Sequence, residues 1–149
     1  MGLKFLTEEL RKKKKIMIDT NVVIYFLEGN EVLGSFSKEV FSIIEKGVVE
    51  GFISVITVAE VLVKPMKTSN NLLVNQIMNF LDTFPNLHVV DIEKSIAIEA
   101  AKIRGKTGLK MPDALIISSA KALGCAIVGA DNQWSNKDFD VEFYNINRL

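Results

Sequence analysis

Ile16-Met17-Ile18-Asp19-Thr20-Asn21-Val22-Val23-Ile24-Tyr25-Phe26-Leu27 is the stretch that decides the fold. Three apolar residues stop at a carboxylate, and a second apolar run follows that breaks at Glu28-Gly29-Asn30. The first part reads as a buried strand ending in Asp19, the second as a short buried helix. The alternation continues outward. Residues 32–46 place Val32, Phe36, Val40, Ile43 and Ile44 at spacings of three and four, which predicts an amphipathic helix stopped at Gly47. Gly51-Phe52-Ile53-Ser54 predicts a second strand, residues 55–63 a helix ending before Pro65, and residues 71–84 another helix. A third strand is expected at 87–90 and an Ala- and Ile-rich helix at 93–105. Pro112 suits a first helical position, in a helix that runs to Leu123 and stops at Gly124. Cys125-Ala126-Ile127-Val128 predicts a fourth strand and residues 141–144 a fifth. Continuous apolar strands alternating with helices predict an α/β fold, with a parallel sheet covered on both faces.

The 149 residues suffice for one domain with its own core. Residues 1–15 read as a polar N-terminal arm ahead of a domain at 16–149, with a short helix from Thr7 as the alternative for part of the arm. Cys125 is the single cysteine, which excludes an internal disulfide framework and suits a reducing compartment. Eighteen basic residues balance eighteen acidic ones, so a uniformly basic nucleic-acid binder is excluded, whereas a local basic patch is not. No apolar run approaches the ~20 residues needed to span a bilayer. The basic run at 11–15 is followed by an apolar stretch that Asp19 and Asn21 interrupt, unlike a signal peptide. The expectation is a soluble cytoplasmic protein.

The informative acids are the isolated ones. Asp19 is the only charge between Lys15 and Glu28, Glu60 the only one between Gly51 and Val63, Asp113 between Lys110 and Lys121, and Asp131 between Lys121 and Lys137. A carboxylate among apolar neighbours costs several kcal/mol unless it is paired or binds a cation. Asp19 after the first strand and Asp131 after the fourth fall at the carboxyl edge of a parallel sheet, where ligands bind. Asp113 opens a helix whose dipole favours its ionised form. Glu60 follows Thr57 by about one helical turn, so the two share a face. Four such charges match two divalent cations of the oxygen-loving kind, Mg²⁺ or Mn²⁺ rather than Zn²⁺. A two-ion site is an apparatus for phosphodiester hydrolysis. Each acid also has a bland reading, as a helix cap, a first-turn acid or a turn residue.

Ile18-Asp19-Thr20-Asn21, Ser54-Val55-Ile56-Thr57-Val58-Ala59-Glu60-Val61, Pro112-Asp113-Ala114-Leu115-Ile116 and Ile127-Val128-Gly129-Ala130-Asp131 together resemble the PIN domain. The similarity covers about residues 16–146 and is closest to VapC-type toxins of toxin–antitoxin pairs. The resemblance implies a three-layer α/β/α sandwich with a mostly parallel sheet of four to five strands. It implies Mg²⁺- or Mn²⁺-dependent ribonuclease activity, with Asp19, Glu60, Asp113 and Asp131 as metal-binding and catalytic residues and Thr20 as an assisting hydroxyl. It also implies a homodimer and a small antitoxin covering the site. Gly129 departs from the pattern, because many relatives carry Thr or Ser two residues before the last acid.

RNA binding by a chain of zero net charge has to be local. Lys102, Arg104, Lys106 and Lys110 form an acid-free basic cluster just before Asp113, suited to phosphates beside a scissile bond. The lysines at 12–15 are a candidate second contact, and Trp134 either stacks on a base or packs beside the sheet. His88, the only histidine, has no expected role in catalysis. A phosphatase of the haloacid dehalogenase type needs a second Asp two residues after the first, where Asn21 stands. The alternatives within the resemblance are a PIN-like RNA- or protein-binding module without catalysis and an RNA-processing nuclease outside a toxin system.

Overall fold

β1 (Lys15–Ile18) is the middle strand of a five-stranded sheet in the order β3-β2-β1-β4-β5. Its side chains alternate between two cores, as the twofold period of a strand requires. Ile16 and Ile18 join one apolar cluster and Met17 the other. β2 (Glu50–Ser54) and β4 (Ala126–Gly129) repeat this division, with Ile53 and Val128 on the first side and Phe52 and Ile127 on the second. β3 (Leu87–Val90) and β5 (Phe143–Asn145) form the edges, and every pairing is parallel. The computed structural model describes residues 2–135, 137 and 139–149.

The helices divide along the same lines. α1 (Gly2–Arg11), α2 (Thr20–Glu28), α3 (Gly34–Glu45), α4 (Val55–Lys67) and α5 (Asn71–Thr83) contribute to the first core. α6 (Lys94–Thr107) and α7 (Met111–Leu123) form the second with Trp134 and Phe139. The result is a three-layer α/β/α sandwich. The chain steps from β1 to β2 to β3 over one face and returns from β3 to β4 over the other. The order of strands therefore reverses between β1 and β4, and the crevice outside the carboxyl ends of these two strands is the natural ligand position of such a sheet.

Local chemistry sets the boundaries. Asp19 caps α2, accepting from the Thr20 amide at 2.8 Å, and Ser54 caps α4, accepting from the Ile56 amide at 3.2 Å. Pro112 lies in the first turn of α7, and Gly124 ends that helix with φ 71°, a left-handed conformation that favours glycine.

Three expectations need correction. α4 does not end before Pro65; it runs through it to Lys67. The proline removes one hydrogen bond near the end of the helix, where its ring is buried, and Thr68 still donates to Lys64 to close the turn. α6 does not end at Gly105 but continues to Thr107, with Gly108 at φ 74° as the true stop. The helix at the N-terminus starts at Gly2 rather than Thr7, and it is not a solvated arm: Leu6 and Leu10, spaced by four, are fully buried in the first core.

A packed α1 has a measurable consequence. Leu10→Ala should cost about 2–5 kcal/mol, the range for truncating a buried leucine. The melting temperature should fall by roughly 5–15 °C. A melting temperature equal to that of the parent chain would mean that α1 lies free in solvent.

Candidate functional site

Asp19 sits just past the carboxyl end of β1, where its amide donates to the Val128 carbonyl of β4 at 2.9 Å. Its residue is 3% exposed. One carboxylate oxygen, Oδ1, accepts from the Thr20 amide. The other, Oδ2, is buried with no hydrogen-bond partner among the described residues. A buried, unpartnered carboxylate oxygen is costly, and native structures keep such groups for a reason.

Burial first, then the charge of Asp113 and, less, those of Asp131 and Glu60, push the Asp19 carboxyl up to about 7, while the Thr20 amide opposes the shift. Asp113, in the first turn of α7, is also raised, first by burial and then by Asp131 and Glu60. Trp134 and Lys110 favour its charged form. The Trp134 indole nitrogen is buried without a hydrogen bond of good geometry, so its influence on Asp113 is a dipole at short range. Asp19 therefore feels the other three isolated acids of the sequence, and Asp113 feels Asp131 and Glu60, across the crevice between β1 and β4. They arrive from different layers: Glu60 on α4, Asp113 on α7, Asp19 and Asp131 from the sheet edge. They do not collapse onto one point; among the described residues no three acidic, histidine or cysteine side chains form a ready-made metal cage. Like charges keep such carboxylates apart until a cation stands between them.

Glu60 is held by hydroxyls. Thr20 Oγ1 donates to Glu60 Oε1 at 2.6 Å and lies 2.9 Å from Thr57 Oγ1. Thr20 has one proton and gives it to the carboxylate, so Thr57 donates to Thr20. Thr57 is fully buried, and this pair ties α2 to α4 at the site. The three-residue spacing to Glu60 within an apolar run puts Thr57 on the Glu60 face, and that spacing is the only mark of its role in the sequence. Asp131 caps a short 3-10 turn, Asn132–Trp134, accepting from the Gln133 amide at 2.8 Å. The bland readings and the functional ones thus coexist, since Asp19 and Asp131 each use Oδ1 to cap a turn or helix.

Gly129 has a physical explanation. A side chain there would place its Cβ 2.7 Å from Phe143 Cε1 and 3.3 Å from Asp19 Cβ. The Phe143 ring is itself hemmed in by Trp134, with centroids 5.3 Å apart, and by Phe139. Phe143 fills the space that a hydroxyl residue at 129 would need.

The basic residues singled out in the sequence do not gather at the acids. Lys110 lies beside Asp113. Lys102 and Lys106 line a depression of about 240 Å³ that also contains Glu99, Lys121 and Asp140, so acids are interleaved with them in space although none is adjacent in sequence. Arg104 donates to the Leu109 carbonyl at 2.8 Å and braces the turn between α6 and α7. Trp134 is fully buried in the second core and offers no face for base stacking. His88 pairs with Glu50 on the amino side of the sheet.

The donor set is all oxygen: four carboxylates, one with an orphaned buried atom, and the hydroxyls of Thr20 and Thr57. It fits a hard divalent cation such as Mg²⁺ or Mn²⁺. A parallel three-layer fold with acids converging at its strand-order reversal defines a class of acidic-site α/β proteins. Within it, the PIN domain family model matches residues 16–140, and the chain belongs to that family. No curated protein matches it in sequence. Among solved structures, DNA-bound VapBC from Salmonella typhimurium is similar over 90% of this chain and 99% of that one, at 19% identity and TM-score 0.73. VapBC2 from Rickettsia felis, bound to a DNA fragment from its promoter, is similar over 88% and 98%, at 18% identity and TM-score 0.72. A toxin–antitoxin complex from Klebsiella pneumoniae is similar over 81% and 91%, at 22% identity and TM-score 0.65. At these identities the likeness is one of fold.

Two outcomes follow from this geometry. Without cation, the folded chain keeps a proton on Asp19 up to about pH 7, whereas the unfolded chain loses it near 3.8. Stability should therefore fall as pH rises from about 4 to 7 and then level. Asp19→Asn should flatten that decline and, at pH 8, remove the rise in melting temperature that Mn²⁺ gives the parent chain. Equal Mn²⁺ shifts in both proteins would overturn this reading. Gly129→Thr should lower the melting temperature by several degrees through the clash with Phe143, and Phe143→Leu in the same chain should restore part of the loss; a single variant as stable as the parent would refute the packing argument.

Proposed function

We propose that this chain is a metal-dependent endoribonuclease that hydrolyses RNA phosphodiester bonds at Asp19, Glu60, Asp113 and Asp131. PIN domains are generally nucleases. The observation that carries the proposal is the buried, unpartnered Oδ2 of Asp19, whose carboxyl is driven upward by burial and by three other acids. A group so placed is stabilised by a cation more than by any residue near it. A bound Mg²⁺ or Mn²⁺ supplies the positive charge that activates water and steadies the departing oxygen.

The residues of the chain do the positioning. The β1 terminus and the cap on α2 fix Asp19. Thr57 orients the Thr20 hydroxyl toward Glu60, which keeps that carboxylate on the crevice side of α4. Asp113 and Asp131 close the opposite wall, with Trp134 packed behind Asp113. Lys110, beside Asp113, is the basic residue proposed to meet a phosphate next to the scissile bond; Lys102 and Lys106, set among Glu99 and Asp140, and Arg104, held by the Leu109 carbonyl, would contribute less.

We further infer that the chain is the toxin of a toxin–antitoxin pair, acting in the cytoplasm. The likeness to VapBC and related complexes supports this, and so does the exposed apolar surface of α4 and α5, where Val63, Met66 and Leu72 are each more than half exposed. A small antitoxin or a second copy of the chain would cover it.

The test uses a mixed structured RNA incubated with Mn²⁺, with Mg²⁺ or with chelator. Cleavage should require the cation, fall at least 100-fold in Asp19→Asn, fall several-fold in Thr57→Val and recover in Thr57→Ser. Cleavage in chelator, or undiminished cleavage by Asp19→Asn, would refute the assignment.

A further inference from the structure

The lysine run at 12–15 takes no part in the acidic site. β1 begins at Lys15 and ends one residue before Asp19, so the run and the acids lie at opposite ends of the central strand, about 13 Å apart at the rise of a β-strand. A groove of about 580 Å³ opens at this amino edge. Lys12, Lys13, Lys14 and Lys15 form one wall, the end of α7 with Lys121 another, and Asp140 and Glu142 a third. Five lysines face two carboxylates there.

Part of that charge is neutralised locally. Lys12 pairs with Glu9 at 2.6 Å, Lys13 with Glu142 at 2.7 Å and Lys121 with Glu99 at 2.9 Å. Lys14 and Lys15 have no carboxylate partner among the described residues. The Lys15 ammonium stands 6.0 Å from the Phe52 ring centroid. Asp140 on the groove wall and the carboxyl end of α7, which contributes roughly half a negative charge, offset part of these two charges and leave a small positive excess. The chain is neutral overall, so this excess is balanced by acids elsewhere, including the four at the other end of the sheet. While no cation is bound at the acids, a polyanion is therefore drawn to the amino edge and repelled from the carboxyl edge.

We propose that the amino-edge groove is a second nucleic-acid contact, which binds backbone phosphates of a single-stranded RNA through Lys14 and Lys15 while another segment of the strand lies at the acids. The inference rests on RNA as the substrate. It assigns the groove to anchoring, separate from cleavage: no bond is made or broken there.

The test measures binding rather than cleavage. A labelled 20-nucleotide single-stranded RNA is titrated in chelator, by fluorescence anisotropy, at salt concentrations from 50 to 300 mM. Asp19→Asn is the parent, and Lys14→Gln with Lys15→Gln is added to it. Each neutralised phosphate contact lowers the slope of log affinity against log salt by about 0.7 for a single strand, so the slope should fall by about 1.4. Affinity at 50 mM salt should drop roughly fivefold or more. Lys14→Gln alone should give about half the change in slope, which guards against a packing effect of Lys15 on Phe52. Lys38→Gln with Lys67→Gln, at exposed lysines elsewhere, should give none. No binding by the parent, an unchanged slope, or an equal effect of the control pair overturns the groove. A lowered slope together with wild-type protein that cleaves nothing would instead sink the nuclease reading and leave the groove standing.

Discussion

The structure turns on one buried carboxylate. Asp19 is anchored on both sides: its amide completes the ladder to Val128, and one of its oxygens caps α2. What remains is an oxygen with no donor among the described residues, facing three other acids. Burying such a group costs several kcal/mol, and a fold keeps it only where the arrangement does something for which a solvated carboxylate would not serve. The surrounding architecture follows from accommodating it. β1 and β4 must be adjacent, α2 must start at once, Gly129 must leave room beside it, and hydroxyls rather than a basic side chain must hold Glu60.

That constraint explains why so much of the fold was legible in the sequence. Strands β1, β2 and β4 carry apolar residues on both sides, because both faces are covered, and their runs stop at turn residues. Solitary acids in apolar runs are expensive anywhere, so their isolation along the chain was a physical signal before any geometry was known. Four of them came from four elements that a parallel sheet with a strand-order reversal brings to one edge.

The features that the sequence pattern hides share a different cause. α1 looked like a polar arm because only its Leu6 and Leu10 face inward, while the charged residues that dominate its composition face out. Pro65 looked like a stop, but a proline near a helix end removes little and its buried ring compensates. The cluster from Lys102 to Lys110 looked free of acids because Glu99 and Asp140 approach it through tertiary packing. Trp134 was undecidable from its neighbours in sequence, since what buries it is Phe139, Phe143 and α7. Helix ends and surface charge depend on partners distant in the chain, which periodicity does not report.

The carboxylates come from positions 19, 60, 113 and 131, and β4 is the next-to-last strand in chain order. This has a consequence for synthesis. A nascent chain that has reached Leu123 carries Asp19, Glu60 and Asp113, but β1 is still an edge strand and the Asp19 amide has no Val128 carbonyl to meet. Neither wall of the crevice is complete until β4 and the turn after it have left the ribosome. A site that draws its acids from four elements is thereby assembled last, by the order of its own strands.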